Sequence, residues 1–426
     1  PGGGNARAAD AGVGERSEPA TGTEREHMEF DWSPEEEAFR QEVRKFLADE
    51  LTDEVRGSMF IDTPARRAFV DKMAERGWLG MGFPEEYGGS KKPIGMAQFI
   101  LNVELELADA PIVGKNIGVI ANTIYHEGSE AMKREFLPKI FANQCQWALS
   151  YTEPGAGTDL ASLQCPAVDR GDHFEVTGTK LFITSAHFAD YHWVAVRTDP
   201  DAPKHQGVSI LIMDADAEGL TYTPMYCVGS TGAERTNEVH LDHVKVPKNR
   251  LVGELNKGFY YMMQALDYER FAIIGFAIRV RRFQRMVGWV KQTGSNGEKL
   301  SEDPVVRAKL ARLATRVEIG TMLEKRCICA AAERVPSVEA AMNKAWCSIV
   351  GSEIADTGLD MMGPYGFLWK GSEHAPIGGD MVDQYLMAGH SRVAAAGVDT
   401  SKAIVARRLL GLPNALGKPV LPGKMN

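Results

Sequence analysis

Three stretches of the sequence gather residue types that could do chemistry. In Leu266-Asp267-Tyr268-Glu269-Arg270-Phe271 an acid sits among apolar residues at helical spacing. The i±3, i±4 and i±7 neighbours of Glu269 are Met262, Ala265, Leu266, Ala272, Ile273 and Phe276, all apolar. Burial in such a stripe raises a carboxyl pKa, as a proton-abstracting base requires. A structural Glu paired with Arg270 or a distant arginine fits the same pattern, because ion-pair networks also perturb pKa values. The second stretch, Tyr151-Thr152-Glu153-Pro154-Gly155-Ala156-Gly157-Thr158-Asp159-Leu160, places two glycines around Ala156. Such a loop can turn several backbone N–H groups toward an anion or a flavin ring edge, or it can simply be an entry turn. It has no third glycine at the offset of a dinucleotide fingerprint. The third stretch is Gly178-Thr179-Lys180-Leu181-Phe182-Ile183-Thr184. Strand alternation puts Lys180, Phe182 and Thr184 on one face, where an aromatic and a hydroxyl suit a flat heterocycle; an ordinary half-buried strand accounts for the residues equally well.

The elements that position these stretches change type along the chain. Ser33-Pro34-Glu35-Glu36 is a capping box with proline at the first helical position. Phe39, Val43, Phe46, Leu47 and Leu51 follow at helical spacing, and helical patterns continue to about Gln144. From about 146 to 253 the sequence predicts short strands at Phe174–Val176, Lys180–Thr184, Tyr191–Arg197, Val208–Met213 and Glu238–Val246. Thr177-Gly178 and Asp199-Pro200-Asp201 are expected turns between them. No helix separates the strands, which predicts an antiparallel sandwich or barrel. Long helices are expected again over roughly 258–292, 303–334, 338–362 and 380–410, bounded by Asp303-Pro304 and Gly363-Pro364. The fold class is therefore mixed α and β: an N-terminal helical domain (28–145), a middle antiparallel β domain (146–255) and a C-terminal four-helix bundle (256–413). Residues 1–27 contain no Leu, Ile or Phe and are expected to be a disordered or appended tail, with Met28 as the natural start and 414–426 as a C-terminal tail.

Composition narrows the function. The 426 residues carry 48 Lys and Arg against 57 Asp and Glu, a formal net charge of −9. An acidic chain is a poor match for nucleic acid, whose phosphates need a basic field. The densest apolar stretch, Phe271 to Ala277, is too short to span a membrane. Six cysteines with no C-x-x-C predict neither a disulfide framework nor a zinc site, and point to a reducing, cytoplasmic compartment. His187, His192, His240 and His243 read as surface or core histidines, so no metal is expected.

Taken together the stretches resemble the acyl-CoA dehydrogenases. The resemblance is carried by Tyr151-Thr-Glu-Pro-Gly-Ala-Gly-Thr-Asp159, Gly178-Thr-Lys-Leu-Phe-Ile-Thr184, Val244-Lys-Val-Pro247 with Leu251-Val-Gly-Glu254, and Gly411-Leu-Pro413. Gly82-Phe-Pro-Glu-Glu-Tyr-Gly-Gly89, Arg197-Thr-Asp-Pro-Asp-Ala-Pro-Lys-His205 and Asn237-Glu-Val239 are similar to members that act on bulky acyl chains, including steroid side chains, some of them heteromers. The resemblance implies FAD as cofactor, an acyl-CoA thioester as substrate and an electron-transferring flavoprotein as acceptor. It implies a homo- or hetero-oligomer, a dimer of dimers. Tyr151 and Thr152 would line the flavin pyrimidine edge, Gly157 and Thr158 would lie near the pyrophosphate, Phe182 would pack on the isoalloxazine and Thr184 would place a hydroxyl near N5. Glu269 falls where the isovaleryl- and long-chain-type members carry the base, and Arg270 beside it is assigned to substrate binding. The family's other base position aligns with Ala395.

Two segments depart from the family pattern. Where its members read Gly-Thr-Ser-Glu-Ile-Gln, this chain has Ala396-Gly397-Val398-Asp399-Thr400-Ser401, which lacks the phosphate-binding Thr and adds an acid. Gln292-Thr-Gly-Ser-Asn-Gly-Glu298 replaces an Arg-containing segment that reaches a neighbour's adenine. These departures leave two alternatives to a self-sufficient dehydrogenase: an FAD-poor partner subunit of a heteromeric one, or a flavin monooxygenase on the same fold.

Overall fold

The computed structural model describes residues 32–58, 61–90, 96–112, 114–228, 236–272, 275–295, 298–334, 336–395 and 397–413. The expected tails at 1–27 and 414–426 lie outside them. The first helix, α1 (Pro34–Glu50), starts as the sequence requires: Ser33 Oγ accepts the Glu36 amide, and the Glu36 carboxylate accepts the Ser33 amide at 2.8 Å. Helices α2 (Pro64–Glu75), α3 (Met96–Ala108), α4 (Asn122–Glu127) and α5 (Glu130–Phe141) complete the first third, with a π-helical turn at Asn116–Ala121. Phe46 packs edge-on to Trp78 and against Phe69, each at a 5.0 Å ring separation. Glu104 of α3 receives Arg40 at 2.6 Å and Arg44 at 2.9 Å, which ties α1 to α3.

The middle third holds β1 (Trp147–Ser150), β2 (Ala167–Asp169), β3 (His173–Thr184), β4 (Tyr191–Arg197), β5 (Val208–Asp214), β6 (Leu220–Pro224), β7 (Thr236–Pro247) and β8 (Leu251–Val252). They form two four-stranded sheets, ordered β1-β4-β5-β8 and β2-β3-β7-β6. Pairing is antiparallel as expected, except that β1 runs parallel to β4. Forty residues separate Ser150 from Tyr191, enough chain to return in the same direction through the other sheet. Val176, Val239, Val244, Val194 and Leu211 fill one apolar core here.

Two expectations about β3 fail. Thr177-Gly178 is not a turn, and Lys180 does not share a face with Phe182. The pairing of β3 with β7 slips between Val176 and Gly178 and again between Lys180 and Ile183. The first slip puts the extra residue on β7, where His243 takes φ +52°; the second puts it on β3, and such a bulge reverses the alternation of faces there. Gly178 stays in the strand, paired with Leu241 at φ +153°, where a Cβ would lie 2.8 Å from Cys165 Sγ. Phe182 occupies the second slip at φ +59°. Lys180 therefore points inward, fully buried, while Phe182 points outward and is 57% exposed.

The last third contains α6 (Gly258–Ala272), α7 (Ala277–Gln292), a small hairpin of β9 (Gly294–Ser295) and β10 (Glu298–Lys299), then α8 (Pro304–Glu333), α9 (Val338–Met362), α10 (Asp380–Val393) and α11 (Val398–Arg408). Asp303 caps α8 through the Val305 amide at 2.7 Å, and α9 stops at Gly363 as the sequence indicates. Two of the four expected helices are each divided in two. The first divides before Ala277, where side chains from other helices take up backbone groups. The second divides after Val393, where Ala395 adopts φ +51°.

Lys180 Nζ donates to Glu153 Oε1 at 2.7 Å, to the Ala195 carbonyl at 2.6 Å and to the Tyr151 carbonyl at 3.4 Å. Lys180→Met should remove this cation and strand Glu153 in the interior. The expected loss is about 3–5 kcal/mol, read as a fall in the thermal midpoint; an unchanged midpoint would show that the pair is not integral to the fold.

Candidate active site

The loop after β1 and the outer bulge of β3 are joined at several points. The Leu181 amide donates to the Thr152 carbonyl at 2.8 Å. Lys180 reaches the neighbouring Tyr151 carbonyl and Glu153. Glu153 also accepts the amides of Gln164 at 2.7 Å and Cys165 at 3.0 Å, so its carboxylate is saturated by donors. Trp193 Nε1 donates to the Tyr151 hydroxyl at 2.9 Å. Glu153 and Ala156 exchange both backbone hydrogen bonds, which closes Pro154 and Gly155 into a tight turn.

Beyond that turn the loop opens. A Cβ at Gly155 or Gly157 would meet nothing within 4 Å, so crowding within the chain does not demand glycine there. Their bare backbone leaves room for close approach of a ligand. Gly157 and Thr158 are exposed. Asp159 accepts Lys204 Nζ at 2.7 Å and Ser162 Oγ at 2.6 Å; Lys204 and then Ser162 hold its pKa below the usual range. Phe182 is a non-glycine residue in the left-handed region with its ring in solvent, a backbone state that costs of order 1 kcal/mol. Thr184 lies two residues further along, opposite Thr236 on β7. These residues fit the ring end of a flavin: an anchored loop, an open glycine backbone, an exposed aromatic and a hydroxyl. The adenine and phosphate end fits less well. α11 is preceded by Gly397 at its N-cap and carries Asp399 in its first turn, an acid where a helix N-terminus otherwise favours phosphate.

Glu269 and Arg270 lie in the last turn of α6, and their side chains fall outside the described residues. Of the apolar stripe around Glu269, Met262, Ala265 and Phe276 are buried and Leu266 is half-buried. The backbone thus sets the base candidate on a helix whose preceding turns bury Met262 and Ala265.

Two further acids stand out only once the chain is folded. Glu106 on α3 and Glu324 on α8 are buried, and both residues line a cavity of about 20 Å³ together with Asn102 and Gly275. Burial pushes Glu106 up to about 7, with Arg279 pulling against it; burial and then the charge of Glu106 push Glu324 up to about 8. For Glu324 a sequence signal exists: Val317, Gly320, Thr321, Cys327 and Ile328 surround it at helical spacing without a charge, much as around Glu269. Glu106 sits in Glu104-Leu105-Glu106, and nothing local distinguishes it from Glu104, which faces arginines. His192 is buried, its pKa lowered to about 4 by burial, and its Nδ1 lies 2.9 Å from Ser150 Oγ. It is a neutral core histidine. His240 and His243 lie beside Glu238 and Glu175 near the surface.

Among the described residues no helix is long and apolar enough to cross a membrane. Three family models match in order: acyl-CoA dehydrogenase N-terminal domain over 33–144, middle domain over 148–244 and C-terminal domain over 256–395. The chain is 35% identical to acyl-CoA dehydrogenase FadE29 of Mycobacterium tuberculosis over 342 residues, 80% of this chain and 87% of that one. It is similar to the ChsE4–ChsE5 complex of Mycobacterium tuberculosis, with TM-score 0.83 and 30% identity over 91% of this chain and all of that one. A solved steroid ACAD, Tcur3481–Tcur3483, gives TM-score 0.82 and 31% identity at the same coverage of each chain. With three domain models in register and relatives matched over most of their length, the chain belongs to the acyl-CoA dehydrogenase family of oxidoreductases.

Proposed function

We propose that this chain catalyses FAD-dependent α,β-dehydrogenation of an acyl-CoA thioester, with Glu269 as the base that takes the α-proton. Bound FAD would supply the acceptor for the β-hydride at N5 and pass the electrons to an electron-transferring flavoprotein. Tyr151, Thr152, Gly157 and Thr158 hold the cofactor along one edge; Phe182 covers its ring and Thr184 offers a hydroxyl. Glu269 removes the proton from a side of α6 lined by hydrocarbon, which keeps its carboxylate poorly solvated and basic. Arg270 binds the substrate. The observation that carries this reading is the outward Phe182 bulge, hydrogen-bonded through Leu181 to the Thr152 carbonyl beside an open glycine loop. The division into 28–145, 146–255 and 256–413 assigns the loop and bulge to the middle part and the base to the last.

Likeness to a steroid ACAD and to the ChsE4–ChsE5 complex supports a bulky acyl group and a related second subunit for this chain. Asp399 at the start of α11 favours the second subunit, since a phosphate ligand that α11 does not supply would have to come from a neighbour. The same residue favours an alternative reading, an FAD-poor subunit that completes a relative's site. The six free thiols fit the cytoplasmic compartment we propose.

Anaerobic absorbance distinguishes the readings. A yellow protein bleached by a steroid side-chain CoA thioester, and not by octanoyl-CoA or isovaleryl-CoA, supports a bulky-chain dehydrogenase. A colourless protein that gains flavin only with a co-expressed relative supports the partner subunit. Glu269→Gln is expected to retain flavin and lose at least about 10²–10⁴-fold in the rate of bleaching; unchanged bleaching removes Glu269 from the mechanism.

Phe182→Gly should separate stability from cofactor binding. Glycine relieves the positive φ, so the thermal midpoint is expected to hold or rise. Loss of the ring should lower the ratio of flavin to protein absorbance. A variant that is less stable yet fully yellow would place Phe182 in the fold rather than the site.

A further inference from the structure

Between Ala272 at the end of α6 and Ala277 at the start of α7, the backbone at Gly275 and Phe276 is held by groups from other helices. Glu324 Oε1 on α8 accepts the Phe276 amide at 2.6 Å. One turn earlier on α8, Gly320 gives the Phe276 ring a flat seat; a Cβ there would lie 2.0 Å from Phe276 Cζ. From α3, the Glu106 carboxyl packs so closely on Gly275 that a Cβ would lie 2.1 Å from Oε2. Arg279 Nη1 donates to the Gly275 carbonyl at 3.1 Å. Two acids, an arginine and a glycine seat thus converge on two backbone residues, more than a helix break needs.

We propose that Glu106 and Glu324 are positioning residues for the reaction: by holding the backbone at Gly275 and Phe276 they fix where α6 ends, and so set the reach of Glu269 three residues before that end. The inference rests on Glu269 being the base. Misplacing a reacting group by about 1 Å can cost about 100-fold in rate, so a joint at the end of the base helix acts on turnover without touching substrate.

The joint carries its own pH dependence. The charge of Glu106 acts on Glu324; from α7, Arg279 acts on both acids and Arg281 on Glu106, and the Cys347 thiol on α9, pushed up to about 12, stays neutral. Two ionised carboxylates buried beside one cavity repel, so the pair retains a proton near neutral pH and titrates as a unit. Both folded values, about 7 and about 8, lie above the ordinary 4.5. The stability they contribute is therefore complete below about pH 4.5 and lost as pH rises through about 7 to 8.

The test uses the flavin-loaded protein and a steroid side-chain CoA thioester, with bleaching rate and substrate affinity measured from pH 6 to 9. Glu324→Ala is expected to slow bleaching about 10- to 100-fold while shifting affinity far less. Glu324→Gln keeps an oxygen for the Phe276 amide; it should recover most of that rate and flatten the fall in thermal midpoint between pH 6 and 8.5. If Glu324→Ala does not fold, Gly275→Ala displaces the Glu106 carboxyl from the other side and should slow bleaching in the same way. A folded, yellow Glu324→Ala or Gly275→Ala with the wild-type rate and pH profile overturns the inference. Glu269→Gln measured in parallel separates the two readings: bleaching that survives in Glu269→Gln overturns the base. Bleaching abolished there but intact in Glu324→Ala overturns only the joint.

Discussion

The buried contact between Lys180 and Glu153 sets the geometry on which the proposed flavin seat depends. Burying an ammonium and a carboxylate costs several kcal/mol each, and only a full set of partners offsets that cost. Here both sets are complete. Lys180 has three oxygen acceptors, and Glu153 has Lys180 and two backbone amides. Two of the acceptors belong to the loop after β1 and the third to β4, so the ammonium draws both against β3. Moving the loop would leave a buried charge without partners, a much larger penalty than breaking a surface ion pair. That penalty makes the loop rigid, and a rigid loop can hold bare glycine backbone open to a ligand without collapsing on itself.

The same pair explains why the outer face of β3 carries an exposed aromatic. Alternation alone would put Lys180 and Phe182 on one side. With Lys180 drawn inward by Glu153, an extra residue must be absorbed before Ile183 can also point inward, and Phe182 absorbs it at φ +59°. The strain at Phe182 and the buried ion pair are then two consequences of one register slip. A phenylalanine in the left-handed region with its ring in solvent gains nothing for the fold, which is why a role in ligand contact is the reading with physical content.

Local signals in the sequence are legible where local physics decides. The Ser33-Glu36 capping box, Asp303-Pro304 and Gly363-Pro364 mark real helix ends, because caps act within one turn. Tyr191–Arg197 is a strand from end to end, since an almost wholly apolar β-branched and aromatic run has few alternatives. The failures share a different cause. β3 slips register because of a partner 27 residues earlier. The helix expected over 258–292 is divided where Glu106 and Glu324, distant in sequence, take up its backbone. The short strands β1, β2, β6 and β8 escape notice because two to five residues carry too little pattern to stand out. The motifs around Tyr151, Phe182 and Glu269 can be found by type and spacing; which way Lys180 points cannot.

The two ends of the proposed cofactor site are built on different physics, and this bears on assembly. The proposed ring end leans on the interior of the middle sheets, through Lys180, Glu153 and Trp193. The phosphate end would lean on α11, whose first turn offers backbone amides but also Asp399. A carboxylate there opposes a pyrophosphate through the same helix dipole that would otherwise attract it. Stacking and edge contacts can orient a flavin ring, but charge neutralisation of the diphosphate has to come from elsewhere. If a second subunit supplies it, cofactor affinity and subunit association become linked: each must strengthen the other by the same factor. A chain with one well-made end and one poorly made end is therefore expected to take up flavin in step with its assembly, and the acid at position 399 is the residue through which that linkage would be felt.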